Sequence, residues 1–249
     1  MNIKIIVAAH KKCRMPNNEI YLPLQAGAEL SSDLGIAKDN NGIHISDKHD
    51  LFAELTCLYW AWKNVHADYI GLVHYRRYFC GSGVPEFSHI ANREELEKIL
   101  SHRPIIVPKK RHYYVETVYS QFAHAHDIRN LDMAGKIIYE KYPSYMSAFE
   151  NIKKRRSAHI CNMLIMRQDY LDEYCQWLFS ILFELESRIS IKQEPRALGF
   201  VGERFLDIWL ETKHIDYAER DMWTNGVENK FIKGIKMLGR KIKNSGEHL

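Results

Sequence analysis

Ile3-Lys4-Ile5-Ile6-Val7-Ala8-Ala9 opens the chain with a β-rich run that is apolar almost without a break. Continuous rather than alternating apolarity marks a strand covered on both faces, the situation of a strand inside a parallel sheet. Outward from it, helix-like and strand-like segments alternate. Asp50 to Asn64 predicts a helix: Leu51, Leu55, Leu58 and Trp62 recur at helical spacing, and Phe52, Tyr59 and Trp60 widen the apolar stripe. Tyr69 to Val73 predicts a second strand. Asn92-Arg93-Glu94-Glu95 starts a helix that runs to about His102, since Asn92 can cap and Glu95 can reach back to the cap amide. Ile105-Ile106-Val107 predicts a third strand stopped by Pro108, Leu131 to Tyr142 a helix closed by Pro143, and Cys161 to Met166 a fourth strand. Helices are expected over Gln168 to Glu186, Gly202 to Lys213 and Asn229 to Asn244. Such alternation predicts an α/β fold, a mostly parallel central sheet flanked by helices. One domain over 1–225 with a C-terminal basic amphipathic helix in 226–249 is the simplest organisation.

The 249 residues are 46% hydrophobic and 27% charged, which excludes a disordered tail, a collagenous repeat and a membrane channel. The net charge of +4 is unevenly spread. Asn229 to Asn244 holds Lys230, Lys233, Lys236, Arg240, Lys241 and Lys243 and no acid, which leaves the remainder at −2. A slightly acidic body argues against nucleic acid as a partner. In the last helix Phe231, Ile232, Ile235, Leu238 and Ile242 share one face and the cations from Lys230 to Lys243 the other. That pattern suits a helix lying on an anionic membrane surface, or one packed on the body with a solvated basic face. Five scattered cysteines without a Cys-x-x-Cys pair fit free thiols in a reducing compartment. No apolar run approaches the ~20 residues of a spanning helix, and the first is too short for a signal peptide. The expected location is the cytoplasm, peripheral at the inner leaflet of the plasma membrane if the last helix binds it.

Ligands of open α/β sheets bind beyond the carboxyl ends of the strands. Those places hold His10, Lys11 and Lys12 after the first strand and His74-Tyr75-Arg76-Arg77-Tyr78-Phe79 after the second. They hold Lys109-Lys110-Arg111-His112 after the third and Arg167 after the fourth. Four strand ends delivering cations to one edge suit a diphosphate, although each cluster alone also reads as a solvated loop. His124-Ala125-His126-Asp127 would place two imidazoles on one side of a strand, as a metal site needs. No further ligand completes a set nearby, so a hydrogen-bonding loop on the acceptor side is expected. Gly202-Glu203-Arg204 puts a carboxylate at an expected helix start, where the dipole favours its ionised form; a general base and an ordinary helix stabiliser both look like this.

Several blocks together resemble one family: Ile45-Ser46-Asp47-Lys48, Glu54-Leu55-Thr56-Cys57-Leu58-Tyr59-Trp60-Ala61-Trp62-Lys63-Asn64, Gly71 to Phe79, Asn162 to Met166, Tyr174 to Phe179 and Arg196 to Arg204. In that order they resemble the DUF4422 family, from the first strand to about Trp209. The resemblance implies a GT-A-like glycosyltransferase of bacterial capsule, exopolysaccharide or O-antigen synthesis. Its implied donor is UDP-galactofuranose and its acceptor a lipid-linked saccharide. Many GT-A enzymes hold a divalent metal through Asp-x-Asp, which this sequence lacks; His74-Tyr75-Arg76-Arg77 stands in that place. The expectation is therefore no metal cofactor, with cations neutralising the diphosphate instead.

The expected donor side comprises His10, Lys11, His74, Tyr75, Arg76, Arg77, Asn162 and Arg204. His124 and His126 are expected on the acceptor side. Glu203 is the first candidate for the base of an inverting displacement and Asp127 the second. The alternatives are a transferase using another UDP-hexose (galactopyranose or glucose) and a non-catalytic sugar-binding component of a polysaccharide assembly complex.

Overall fold

A computed structural model of the chain describes residues 1–82, 86–189 and 193–225. The C-terminal helix expected from the sequence lies outside the described residues. The strands are β1 (Ile3–Ala9), β2 (Tyr21–Gln25), β3 (Ala37–Lys38), β4 (Tyr69–His74), β5 (Arg77–Phe79), β6 (Ile105–Pro108), β7 (Arg111–His112), β8 (Ser157–Ala158), β9 (Leu164–Arg167), β10 (Ala218–Arg220) and β11 (Met222–Thr224). The α-helices are α1 (His49–Phe52), α2 (Leu55–Asn64), α3 (Arg93–Leu100), α4 (Val118–Ala125), α5 (Ile128–Lys141), α6 (Met146–Lys154), α7 (Gln168–Arg188) and α8 (Ala197–Lys213).

The main sheet runs β10-β6-β9-β4-β1-β2-β3. Every neighbouring pair is parallel except those of β9, which is antiparallel to both β4 and β6. This is the expected mostly parallel sheet. Its residues alternate between two apolar layers. Ile6, Leu72 and Leu164 pack with α2, α7 and α8, whereas Ile5, Val73 and Ile165 pack with α3 and the aromatics Tyr78 and Phe79 of β5. Double coverage is why β1 and β4 carry no polar alternation. Gly71 sits mid-sheet in β4, where a Cβ would lie 2.9 Å from the Ile165 side chain and 3.0 Å from the Leu164 carbonyl oxygen.

Three expectations are corrected. The single helix over Asp50 to Asn64 is two, broken at Ala53 (φ 51°, ψ −132°), which redirects the chain so that Glu54 turns inward. The fourth strand begins at Leu164, because Cys161 and Asn162 occupy left-handed conformations. Its antiparallel sense puts Arg167 opposite Tyr69, at the far end of the sheet from the other strand ends, where it pairs with Asp169. Arg167 therefore does not join a cationic rim. The third concerns α8, which starts at Ala197, so Glu203 lies in its second turn and not its first. The dipole effect has largely faded there.

Tight local contacts hold the helices at the sheet edge. A Cβ on Gly199 would meet the Ala53 Cβ and the Phe52 carbonyl oxygen at 3.2 Å, so α8 crosses the break between α1 and α2 at close range. Buried Asp39 accepts from the Gly27 and Ala28 amides and from the Ser46 and Thr56 hydroxyls, which ties α2 to the loop after β2. Buried His159 sits between Asp207 of α8, at 2.5 Å, and Glu219 of β10, at 3.0 Å. That bridge fixes α8 against the β10 edge.

Candidate active site

At the carboxyl ends of β1 and β4 the sheet opens into a cleft of about 340 Å³. His10, from the end of β1, and His74-Tyr75-Arg76, from the end of β4, form one wall. His49, Asp50, Ala53, Glu54 and Pro195-Arg196 form the other. Four non-glycine residues with positive φ surround it: Ala53, Cys161, Asn162 and Arg196. Such conformations cost of order 1–3 kcal/mol each and persist where the surrounding fold imposes them, often at functional sites. Here they turn side chains toward a common floor.

That floor is polar. The Asn162 amide donates to Glu54 Oε1 at 2.8 Å and to the Gly199 carbonyl at 3.1 Å. Arg196 Nη2 donates to Glu54 Oε2 at 3.3 Å. His74 Nε2 is 2.5 Å from the Cys161 carbonyl, which an Nε2–H tautomer would donate to, and 3.9 Å from Glu54 Oε1. Burial raises the Glu54 carboxyl. Against it act the His74 ring, the Asn162 amide and the Arg196 guanidinium, and the balance lies below its ordinary value. His74 is pushed down by burial in spite of Glu54, and so tends to the neutral ring.

The rim is cationic. Burial lowers the His10 imidazole, and His49, Arg196, Arg76 and Lys11 lower it further. His10, which lines the cleft, packs edge-on against Tyr75 at 5.0 Å, and Lys11 lies 5.5 Å over the same ring. Arg77 lies in β5, opposite His74, and its charge bears on His74, Cys161 and Glu203. Cations around a half-enclosed cleft at strand ends are what a phosphorylated ligand requires.

Glu203, in the second turn of α8, is not among the residues that line the cleft, and its side chain is 18% exposed. Burial raises its carboxyl; Arg204 opposes this and Glu54 adds to it, with Arg77 and Arg196 opposing. The two neighbouring carboxyls are thus displaced in opposite directions, Glu54 down and Glu203 up. This is the arrangement that lets two acids take different roles at one pH.

Other expected residues lie elsewhere. Arg204 is buried among Gln121, to which its Nη2 donates at 3.1 Å, the Phe122 ring and Glu203, with Nη1 3.5 Å from Glu203 Oε2. Neither Arg204 nor Glu203 is among the residues that line the cleft, and the two form a charge partnership. Asp127 caps α5 and engages Arg129 through both carboxylate oxygens, which holds its carboxyl below its ordinary value, first through that side-chain contact. A carboxylate so occupied is a poor base. The His124-x-His126 pair lies at the end of α4, not in a strand. His124 pairs with Glu116, and His126 stacks on Phe200 at 3.8 Å beside Glu194. Glu54, His49 and Arg196 were assigned no role from sequence. The available signal was Glu54 itself, an acid within an otherwise apolar helical stripe, which burial permits only with partners.

Among the described residues no group of three or more His, Cys, Asp or Glu side chains is placed to hold a metal ion, and no helix is long and apolar enough to cross a membrane.

A doubly covered, mostly parallel sheet with a cationic cleft at its strand ends defines an α/β protein whose ligand site is built from strand-terminal loops. The chain belongs to the family described as a domain of unknown function, DUF4422, whose model matches residues 4–214. It is similar to a solved apo structure of the WbbM bifunctional glycosyltransferase, with 27% identity and a TM-score of 0.82. The match covers 92% of this chain and 48% of the WbbM chain, so this chain spans about half of that protein's length. No curated protein sequence matches it.

Proposed function

We propose that this protein is a glycosyltransferase that moves a hexose from a nucleotide diphosphate donor, UDP-galactofuranose, to a lipid-linked saccharide acceptor in bacterial surface-polysaccharide synthesis. The observation that carries the proposal is a cleft at the strand ends lined by His10, Arg76, Arg196 and the Glu54 carboxylate, with the Glu203 carboxyl close enough to Glu54 for their charges to interact. Likeness to a bifunctional glycosyltransferase over 92% of the chain supports the same class.

In the reaction the bond from donor C1 to the diphosphate oxygen breaks and a bond from the acceptor oxygen to C1 forms on the opposite face. Glu203 takes the acceptor's proton, since a carboxyl raised toward neutrality is better matched to that step than an ordinary one. Arg76, Arg196 and Lys11 stabilise the departing UDP, the work that a metal ion does in many such enzymes. Glu54 stays ionised, fixes Asn162 and accepts hydrogen bonds from donor-sugar hydroxyls. Membrane contact through Lys230 to Lys243 would hold a cytoplasmic enzyme near a lipid-linked acceptor.

The test is a thermal-shift screen over UDP and UDP-sugars followed by donor-hydrolysis and transfer assays with and without EDTA. A ligand selective for the folded state raises the melting temperature. Stabilisation by UDP-galactofuranose above UDP-galactopyranose and UDP-glucose is expected, with turnover insensitive to chelation. Stabilisation by none of them overturns the reading; preference for another UDP-hexose replaces the donor. Loss of turnover in EDTA and its return with Mn²⁺ would overturn the metal-free mechanism.

A further inference from the structure

Two basic runs distant in sequence are zipped together beside the cleft. β7 pairs with β8, Arg111 opposite Ala158 and His112 opposite Ser157. The pairing continues as the Tyr113 amide donates to the Arg156 carbonyl at 2.8 Å and the Val118 amide to that of Arg155 at 2.7 Å. Lys109-Lys110-Arg111-His112 is thereby brought beside Lys153-Lys154-Arg155-Arg156. Lys109 pairs with Asp221, Lys153 with Glu150 and Arg155 with Glu211. Lys110, Arg111, Lys154 and Arg156 have no carboxylate at ion-pair distance among the described residues, so the ribbon carries a net positive collar.

Above the collar stands an apolar tip. Tyr114 is 81% exposed and Val115 49%. Tyr114 has φ +57°, a conformation that is a genuine outlier for a bulky side chain. The tip is nevertheless fastened from below: Arg156 Nη1 donates to the Tyr114 carbonyl at 3.1 Å, and the Val115 amide to that of Tyr113 at 2.6 Å. Tyr113 is buried beneath, close enough to Arg204, Arg111 and Glu203 for their charges to bear on its hydroxyl. β6, which leads into the ribbon, runs in the same sense as β4, so the ribbon leaves the sheet at the edge where the cleft opens.

We propose that the β7–β8 ribbon docks on an anionic membrane surface, with the collar on lipid phosphates and Tyr114 and Val115 at the headgroup level. Basic side chains concentrate at anionic leaflets, and tyrosine's amphipathic ring favours the membrane–water interface. A nucleic-acid track fits less well, because the collar is compact and its centre apolar. Docking this way sets the cleft's edge of the sheet beside the bilayer. The proposal goes beyond the glycosyltransferase reading and holds whether or not the cleft transfers a sugar.

The test is co-sedimentation of the full chain with vesicles of phosphatidylcholine alone or with ~30% phosphatidylglycerol, the anionic lipid supplying the surface potential. Binding to the anionic vesicles, weakened by high salt, is expected. Lys154→Glu with Arg156→Glu should lower the partition coefficient by about tenfold or more, from the usual share of each basic residue. Lys154→Gln alone, which breaks no hydrogen bond or ion pair among the described residues, and Tyr114→Ser should each lower it by several-fold, with melting temperature nearly unchanged and UDP response retained. Charge reversal at Lys230 and Lys233 measures the C-terminal share separately. Ribbon variants that bind like the parent, equal binding to neutral vesicles, or a ribbon that binds DNA and ignores vesicles would each overturn the proposal.

Discussion

Replacing Asn162 with alanine removes two buried hydrogen bonds, one to Glu54 at 2.8 Å and one to the Gly199 carbonyl at 3.1 Å. A bond to a charged group is worth about 1.5–3 kcal/mol and a neutral one about 1 kcal/mol. Alanine also adopts the left-handed backbone of this position (φ 50°) less readily than asparagine, at a cost of up to about 1 kcal/mol. The sum is a loss of about 2.5–5 kcal/mol at neutral pH, a large part of the stability of an ordinary domain. In the parent, Glu54 titrates below its ordinary value, so its contribution is present above the unfolded pKa and is lost as pH falls through the folded one. Without the amide, one of the groups that oppose burial is gone, and the Glu54 carboxyl titrates higher than in the parent. The penalty is then greatest where the group must stay ionised and is relieved as protonation removes the buried charge. Urea denaturation of parent and variant at pH 7.5 and near pH 5 reads this directly: the difference should be largest at pH 7.5 and shrink on acidification. A difference below about 1 kcal/mol at pH 7.5, or one that does not change with pH, would refute the account of Glu54 as a buried carboxylate held ionised by Asn162.

Other consequences are separable. Glu203→Gln should lower transfer by ~10²-fold or more while leaving the thermal shift with UDP intact, given the usual worth of a general base. Because the base must be ionised and its carboxyl is raised, first by burial, the acid limb of kcat/KM should lie above the ordinary glutamate range and vanish in the variant; unchanged turnover would remove Glu203 from the mechanism. Arg76→Ala should weaken UDP binding by about tenfold or more without lowering apo stability, as one charge-assisted contact suggests; calorimetry measures it. The His10 imidazole, lowered by burial and neighbouring cations, should titrate higher with UDP bound, an upward shift visible by NMR. Gly71→Ala should cost about 1–3 kcal/mol through overpacking between β1 and β9, observed as a lower melting temperature with UDP affinity retained.

How much of the site was legible follows from how each residue reaches it. His10 and the His74-Tyr75-Arg76 segment are delivered by strand ends, and strand ends can be read from where an apolar run stops. Asn162 also reaches the floor, but through a left-handed turn at the start of a strand whose direction was misread. Arg167 shows the consequence: reversing β9 moves one end of the segment to the far edge of the sheet. Glu54 and Arg196 were missed because their side chains depend on positive-φ backbone at Ala53 and at Arg196 itself, for which alanine and arginine give no local warning. The pairings of Arg204 with Glu203 and of Asp127 with Arg129 were not legible, because side-chain partnership is set by packing.

The amino-acid sequence by itself determined the layered α/β architecture and the cationic character of the strand ends, because apolar periodicity and burial on two faces are local properties of the chain. The sense of β9, the break at Ala53, the opposed displacements of Glu54 and Glu203, and the meeting of two basic runs in the β7–β8 ribbon were decided only by tertiary structure. Each depends on which distant segments desolvate one another, and desolvation and Coulomb interaction act through space rather than along the chain.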